Sequence, residues 1–233
     1  MSYSNQTINN KSSIKRFTHI GRFNVALALL DFKKTDTLLD FGTGDGHMLQ
    51  LINQTISIKK LIGYEPVSEM YDELVKNINQ NESNSIQVIN NLKAVSTLQF
   101  NYVTCFEVLE HFSKENQDKH IKDIIKLTSN DGTIIISVPL EIGLTALFKN
   151  SIRFLLGQKH SNTNLKTISK AMLGLKDSRT QAGYINSHVG FNHNDLECVF
   201  KDNNLRIIKK QYSPFKYLYG LLNSQIFYVL KKV

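Results

Sequence analysis

The stretch Thr37-Leu-Leu-Asp-Phe-Gly-Thr-Gly-Asp-Gly-His-Met-Leu49 decides the fold. Its first five residues form a short apolar run, which is typical of a buried strand. Three glycines follow at Gly42, Gly44 and Gly46, and the apolar residues from Met48 onward predict a helix. Glycine adopts positive φ and lets a ligand approach the backbone closely, and the first turn of a helix offers unpaired N–H groups. The stretch therefore predicts a strand, a turn and a helix that together can hold a polar ligand.

Apolar runs and amphipathic stretches alternate on both sides of this unit. They predict a helix over Ile14–Phe32, helices beginning near Ser68 and Ser113, and strands at Lys60–Glu65, Ser85–Asn90, Tyr102–Phe106 and, after a turn at Asp131-Gly132, Thr133–Val138. Strands that alternate with helices build a mainly parallel sheet. Two late strands, Leu205–Tyr212 and Gln225–Leu230, predict an antiparallel pair at its edge. The expected fold class is α/β, with a mainly parallel seven-stranded sheet.

The chain divides into a short tail and one domain. The polar residues 1–13 predict a flexible tail, and residues 14–233 predict the domain. Between about 142 and 190 the strand pattern stops, which predicts a helical insertion over the carboxyl ends of the strands, where open α/β sheets bind ligands. Within it, the amphipathic stretch Leu144–Leu155 is either a lid helix or a surface that makes peripheral membrane contact, and both interpretations stay open.

Composition limits the possible partners. The 233 residues carry a formal net charge of +8, which favours nucleic acid, phospholipid headgroups or acidic small molecules, although a solvated basic surface explains it equally well. The N-terminus lacks the apolar stretch of a signal peptide, and no apolar run is long enough to span a bilayer, so we expect a cytoplasmic protein. The two cysteines, Cys105 and Cys198, have no CxxC partner, which argues against a zinc or redox motif.

Four motifs follow one another along the chain: Asp40–Gly46, Gly63–Pro66, Asn101–His111 and Asp131–Pro139. In this order they resemble class I S-adenosylmethionine-dependent methyltransferases, and in particular type-11 and ubiquinone-biosynthesis O-methyltransferases. The resemblance covers roughly Thr37 to Pro139 and the final strands. It implies a Rossmann-like three-layer sandwich with the insertion over the active site. It also implies S-adenosylmethionine as the cofactor and S-adenosylhomocysteine as the product.

The same resemblance implies which residues bind the cofactor. The glycine turn would pass along its methionine part, Asp40 would support that turn or meet the amino group, Glu65 would hold the ribose, and Asn91 would meet the adenine amine. The implied set is Asp40, Gly42, Thr43, Gly44, Gly46, Glu65, Pro66, Asn91, Phe106 and Glu107. A nicotinamide dinucleotide is the competing cofactor, but its GxGxxG fingerprint requires a third glycine where His47 stands.

The element Glu107-Val-Leu-Glu110-His111 follows the fourth predicted strand and has three open interpretations. His111, oriented by Glu110, is a general base that removes a proton from an acceptor hydroxyl. Alternatively, a divalent metal is bound by Glu107, Glu110 and His111, with His188 as a further ligand. In this interpretation the element resembles metal-assisted methyltransferases of ubiquinone biosynthesis and of small-RNA ribose. The RNA enzymes usually carry two adjacent histidines, whereas Phe112 follows His111 here. In the third interpretation the element is structural.

These observations together predict a methyltransferase that acts on an oxygen of a small-molecule or lipid- or glycan-linked acceptor, with His111 as the principal catalytic residue. An RNA ribose methyltransferase with metal assistance is an alternative suggested by the net charge. A non-catalytic protein that binds S-adenosylmethionine is the other. The sequence does not identify the acceptor.

Overall fold

A computed structural model of the protein describes residues 13–55, 58–80, 85–140, 191–215 and 223–233, with side chains from Ile20 onward. Its helices are α1 (Ser13–Ala28), α2 (His47–Thr55), α3 (Ser68–Gln80), α4 (Lys114–Leu127) and α5 (His193–Asp202). Its strands are β1 (Thr37–Phe41), β2 (Lys60–Tyr64), β3 (Ile86–Ile89), β4 (Phe100–Phe106), β5 (Thr128–Pro139), β6 (Leu205–Ser213) and β7 (Gln225–Lys232). Short 3₁₀ helices cover Leu92–Val95 and Leu109–His111.

The seven strands form one sheet in the order β3-β2-β1-β4-β5-β7-β6. Strands β1 to β5 pair in parallel, whereas β7 is antiparallel to both β5 and β6. The predicted fold class, including the antiparallel edge, is therefore confirmed. The carboxyl ends of β1, β4 and β5 and the start of β7 meet at one edge of the sheet, because β7 runs in the opposite direction.

Helices cover both faces of the sheet, so its central strands are apolar on both sides. Leu38 and Leu39 are adjacent on β1 and belong to separate hydrophobic clusters, as expected for side chains that alternate across a strand. The cluster of Leu38 includes residues of α1, α2 and α3, and that of Leu39 includes residues of α4 and α5. Ile134, Ile135 and Ile136 of β5 are fully buried, as their unbroken apolar run indicates.

Strand β5 differs from its prediction. It begins at Thr128 and not at Thr133, and the predicted turn at Asp131-Gly132 lies inside it. Phe100 on β4 pairs with Thr128 and Tyr102 pairs with Thr133, so residues 129–132 bulge out of the parallel ladder. A Cβ on Gly132 would lie 2.5 Å from Thr128 Cγ2, so this bulge requires glycine.

Two helices begin after residues whose side chains cap them, and one of these residues, Ser113, was predicted as a helix start. The Ser113 hydroxyl accepts a hydrogen bond from Asn116 N, and the Asn192 side chain accepts one from Asn194 N. The first helix ends at Ala28, four residues before its predicted end. Among the described ranges, no helix is both long and apolar enough to cross a membrane. The predicted insertion at 142–190 lies outside the described residues, and so does the predicted tail except for Ser13, where α1 begins.

Candidate functional site

A cleft of about 200 Å³ opens at the carboxyl edge of the sheet, above β1, β4, β5 and the start of β7. Several predicted site residues line it: Asp40, Gly42, Thr43, Gly44, Phe106, Glu107 and His111. Sequence analysis assigned no site role to a second group that also lines it: Arg22, Phe23, Asp45, His47, Met48, Met70, Ser137, Gln225 and Phe227. Segments that are distant in sequence, from α1 to β7, therefore build one chamber.

The glycine turn shapes one wall of this cleft. Gly42, Gly44 and Gly46 all have positive φ, at 78°, 60° and 81°. A Cβ on Gly42 would lie 2.5 Å from Val108 Cγ2, and one on Gly46 would lie 2.5 Å from Leu74 Cδ1, so these glycines permit close packing. A Cβ on Gly44 would meet nothing nearer than Met70 Cε at 3.8 Å. Gly44 is therefore the glycine that faces open space in the cleft.

Glu65 ties this turn to the neighbouring strand. Its carboxylate, which is 4% exposed, accepts hydrogen bonds from Gly44 N and from Val67 N, each at 3.0 Å. Burial raises the pKa of Glu65 above its ordinary value, and the two backbone hydrogen bonds oppose that rise. Glu65 lies behind the turn and not among the lining residues. Each carboxylate oxygen still has a second lone pair with which to accept a ligand hydroxyl.

Asp40 is a second buried carboxyl group beneath the turn, and it does line the cleft. Its Oδ1 accepts a hydrogen bond from the Thr104 hydroxyl at 2.7 Å, across the β1–β4 pair. Burial raises the pKa of Asp40, and this hydrogen bond opposes the rise. The arrangement fixes Asp40 from one side, as expected for a carboxyl group that supports the turn.

Glu107, at the end of β4, is held by two side chains that the sequence did not connect with it. Arg22 Nη1 donates to Glu107 Oε2 at 2.6 Å, and Gln225 Nε2 donates to Glu107 Oε1 at 2.6 Å. The backbone of Glu107 has a φ of 57°, a left-handed conformation that costs energy for a residue with a Cβ. Its N–H donates to Ser137 O at 3.0 Å, which anchors this conformation to β5.

Gln225, the first residue of β7, extends this network to β5. Its Nε2 also donates to Ser137 Oγ at 2.8 Å, and its side chain is almost fully buried. A glutamine that opens an apolar strand carries no motif, so sequence reasoning had no signal with which to find it. Arg22 likewise lies 85 residues from Glu107 in the chain, and only the folded structure brings the two together.

His111 and Glu110 follow in the second 3₁₀ helix. His111 lines the cleft, whereas Glu110 is fully buried and lies outside its lining. Gln117 Nε2 donates to the carbonyl oxygens of Leu109 and Phe112, each at 3.0 Å, which fixes the segment that carries His111 against α4. The structure thus presents His111 to the cleft on a constrained backbone, and its role as a general base stays a prediction.

Three other residues that were predicted to contact the cofactor, Asn91, Pro66 and Gly46, lie outside the cleft lining. Asn91 is exposed, and its Oδ1 accepts from Lys93 N at 2.9 Å, so it caps the first 3₁₀ helix. Pro66 is exposed beyond the end of β2, and Gly46 packs against α3. Their contacts with a cofactor stay predictions, as do those of the residues that line the cleft.

The metal hypothesis gains no support from the described part of the chain. Among those residues, no group of three or more His, Cys, Asp or Glu side chains is placed to hold a metal ion. Glu107 instead forms an ion pair with Arg22. His188, the fourth predicted ligand, lies outside the described residues.

Helix α1 contributes Arg22 and Phe23 to the lining of the cleft. The rings of Phe23 and His47 meet edge to face, with centroids 4.9 Å apart. On the opposite side, Phe106 and Phe227 make a similar contact at 5.8 Å. The cleft therefore combines aromatic walls with a few fixed polar groups, a composition typical of small-molecule sites.

Comparisons with known proteins agree with this architecture. A family model described as a methyltransferase domain matches residues 16–209. No match was found among curated proteins.

Three solved structures illustrate the similarity of fold. Magnesium protoporphyrin IX methyltransferase from Synechocystis PCC 6803, with bound S-adenosylhomocysteine, has a TM-score of 0.60 and 14% identity, covering 98% of this chain and 92% of that one. A S-adenosylmethionine-dependent methyltransferase from Clostridium acetobutylicum has a TM-score of 0.62 and 13% identity, covering 98% of this chain and 96% of that one. A cyclopropane synthase from Mycobacterium tuberculosis has a TM-score of 0.61 and 11% identity, covering 97% of this chain and 88% of that one. At these identities the likeness establishes the fold alone.

Proposed function

The chain belongs to the methyltransferase-domain family, and from that premise we propose that it transfers a methyl group from S-adenosylmethionine to an oxygen of a small-molecule or lipid- or glycan-linked acceptor. The observation that carries the proposal is the open space in front of Gly44, in a cleft that also contains Asp40, Glu107 and His111. A glycine at positive φ that no neighbouring atom requires for packing is explained by a ligand that passes close to its backbone.

Groups in and beside the cleft suit this cofactor. Glu65, tied to Gly44 N, would accept hydrogen bonds from ribose hydroxyls with its remaining lone pairs. Arg22 is the one Lys or Arg side chain among the described residues that line the cleft, and its charge is paired with that of Glu107. Exposed Met70, next to Gly44, offers an apolar surface on the side of β2.

When bound, S-adenosylmethionine supplies an electrophilic methyl group on a positively charged sulfur. The protein would contribute alignment of the acceptor and exclusion of water by the aromatic walls around Phe106 and Phe227. His111 would accept the proton that the acceptor hydroxyl gives up. Glu107 is less suited to that task, because its carboxylate oxygens already accept hydrogen bonds from Arg22 and Gln225.

The test is methyl transfer from S-adenosylmethionine labelled in its methyl group. The full chain is incubated with panels of phenols, alcohols, glycolipids and amines, and the label is followed into the acceptor fraction. We expect label in a hydroxyl-bearing compound, together with equimolar S-adenosylhomocysteine. Tight binding of S-adenosylmethionine with no transfer to any panel would instead identify a non-catalytic binding protein and refute the proposal.

A further inference from the structure

The orientation of the Gln225 side-chain amide is fixed by its neighbours. A carboxylate only accepts hydrogen bonds, so the atom of Gln225 that lies 2.6 Å from Glu107 Oε1 must be the nitrogen. The second hydrogen of this nitrogen is directed to Ser137 Oγ at 2.8 Å. Both donors of Gln225 are thus in use, and its oxygen Oε1 must point the other way.

That oxygen has no hydrogen-bond partner among the residues that the structure describes. Gln225 is 2% exposed and is one of the residues that line the cleft of about 200 Å³, and its Oε1 is itself buried. Nearly all buried polar groups in folded proteins have a partner. An acceptor left unpaired at the wall of a binding cleft indicates that a ligand supplies the missing donor.

Either the cofactor or the methyl acceptor could supply this hydrogen-bond donor. The position of Gln225 in the sheet distinguishes between them. Neighbouring strands are about 4.8 Å apart, and β7 is three positions from β1 in the sheet order, so roughly 14 Å separate their axes. The Gly44 turn directly follows β1 and Glu65 directly follows β2, and both strands lie on the other side of β4 from Gln225. A ribose on Glu65 and a backbone contact at Gly44 therefore place the cofactor toward β1 and β2, which favours the methyl acceptor as the donor to Oε1.

The surroundings of Gln225 define the chemistry of that acceptor. Phe227 lies two residues further along β7 and also lines the cleft, as does Ser137, its partner on β5. The Glu107 carboxylate beside Gln225 is ion-paired with Arg22, so this pair adds no net charge and a neutral ligand group suits this point. The wall therefore suits an apolar, ring-bearing molecule with a neutral O–H or N–H group.

We propose that Gln225 is a specificity-determining residue: its Oε1 accepts a hydrogen bond from a hydroxyl or amine of the methyl acceptor. This inference rests on the proposed function, since it assigns the cofactor to the opposite side of the cleft. It restricts the substrate class to compounds that carry a neutral hydrogen-bond donor next to an apolar ring.

The experiment uses the full chain saturated with S-adenosylhomocysteine and three probes of similar size: phenol, aniline and fluorobenzene. Fluorobenzene has the same ring but no hydrogen to donate. Dissociation constants are measured by ligand-observed NMR. We expect phenol or aniline to bind roughly fivefold to tenfold more tightly than fluorobenzene, as one neutral hydrogen bond allows.

Gln225→Met should abolish this preference and leave the affinity for S-adenosylhomocysteine unchanged. Gln211→Met is the matched control, because Gln211 is also buried but lies on β6 outside the cleft lining; it should keep the preference. If thermal melting shows that Gln225→Met is unfolded, Gln225→Asn replaces it, since the shorter side chain withdraws the oxygen and should also abolish the preference.

The proposal is overturned if no probe with a donor is preferred by the wild-type protein, or if the preference persists in the Gln225 variant. Weaker binding of S-adenosylhomocysteine by the Gln225 variant, but not by the Gln211 variant, would assign Oε1 to the cofactor and overturn it as well. Failure of the wild-type protein to bind S-adenosylhomocysteine at all would contradict the proposed function itself. This outcome separates an error in the proposed function from an error in the role assigned to Gln225.

Discussion

The Glu65 carboxylate accepts a hydrogen bond from the Gly44 N–H at 3.0 Å. This contact joins the end of β2 to the glycine turn after β1, so one buried carboxylate holds the turn in place. A ligand that occupies the cleft therefore meets a wall that is already organised. Preorganisation of this kind reduces the entropic cost of binding.

The ion pair between Arg22 and Glu107 should stabilise the fold as well as the site. Their side chains are only 13% and 24% exposed, and the N–O distance is 2.6 Å. Arg22→Met leaves Glu107 partly buried without this partner, so we expect a loss of roughly 1–3 kcal/mol in the free energy of unfolding. Urea denaturation measures the change.

Two further variants complete this test. Glu107→Gln in the Arg22→Met background removes the remaining charge and should recover part of the loss. Lys122→Met removes an ion pair with Asp118 whose side chains are 65% and 37% exposed, and it should cost clearly less stability than Arg22→Met, because solvent screens exposed pairs. Equal losses for Arg22→Met and Lys122→Met would show that the pair in the cleft is not structurally important.

Asp40→Asn tests the buried carboxyl group beneath the turn. Burial raises the pKa of Asp40 above 3.8 in the folded protein. The folded state therefore keeps its proton to a higher pH than the unfolded state, and stability falls as pH rises from the ordinary to the raised pKa. Asparagine keeps an oxygen that can accept from Thr104 but carries no charge.

We expect Asp40→Asn to gain stability relative to the wild-type protein as pH increases from acidic to neutral. Urea denaturation at a series of pH values measures the difference between the two proteins. A difference that is the same at every pH would contradict the assigned pKa shift.

His111→Ala should lower the rate of methyl transfer, once an acceptor is identified, by about 10²- to 10⁴-fold, which is the usual effect of losing a general base. The affinity for S-adenosylhomocysteine, measured by calorimetry, should change little. His120→Ala is the control: His120 packs between the rings of Phe41 and Phe112 and lies outside the cleft lining. If both variants retain the full rate, His111 is not the base.

The metal hypothesis predicts that a chelator abolishes activity and that Mg²⁺ or Mn²⁺ restores it. Because the Glu107 carboxylate is engaged by Arg22 and Gln225, we expect the opposite result. Methyl transfer in excess EDTA should proceed at the rate seen without it. Loss of activity that Mg²⁺ reverses would instead show that Glu107 exchanges its present partners for a metal.

Local patterns were sufficient to predict most of the fold. The apolar run before Gly42, the helix start at Ser113 and the succession of strands and helices along the chain each follow from residues close together in the chain. The bulge at residues 129–132 was not predicted, because a strand that loops out and resumes has the same glycine signal as a strand that begins there.

The site was predicted only where it depends on such local patterns. The glycine turn, Asp40 and His111 lie within motifs and were found. Arg22 and Gln225 reach Glu107 from 85 and 118 residues away, and isolated residues of these types are common on any surface. Asn91 was expected to contact a ligand, whereas its side chain caps the helix that follows it, a role that the same position in sequence also permits.

The central claim is that a cofactor passes the backbone at Gly44. Calorimetric titration with S-adenosylhomocysteine tests it on Gly44→Val, whose side chain would enter the open space of the cleft. Asn204→Val is the matched control, because exposed Asn204 also has a positive φ, of 54°, and the substitution adds a comparable backbone strain away from the cleft.

We predict that the wild-type protein and Asn204→Val bind S-adenosylhomocysteine with equal affinity and that Gly44→Val, although folded, shows no measurable binding. Unchanged affinity in Gly44→Val would contradict the account.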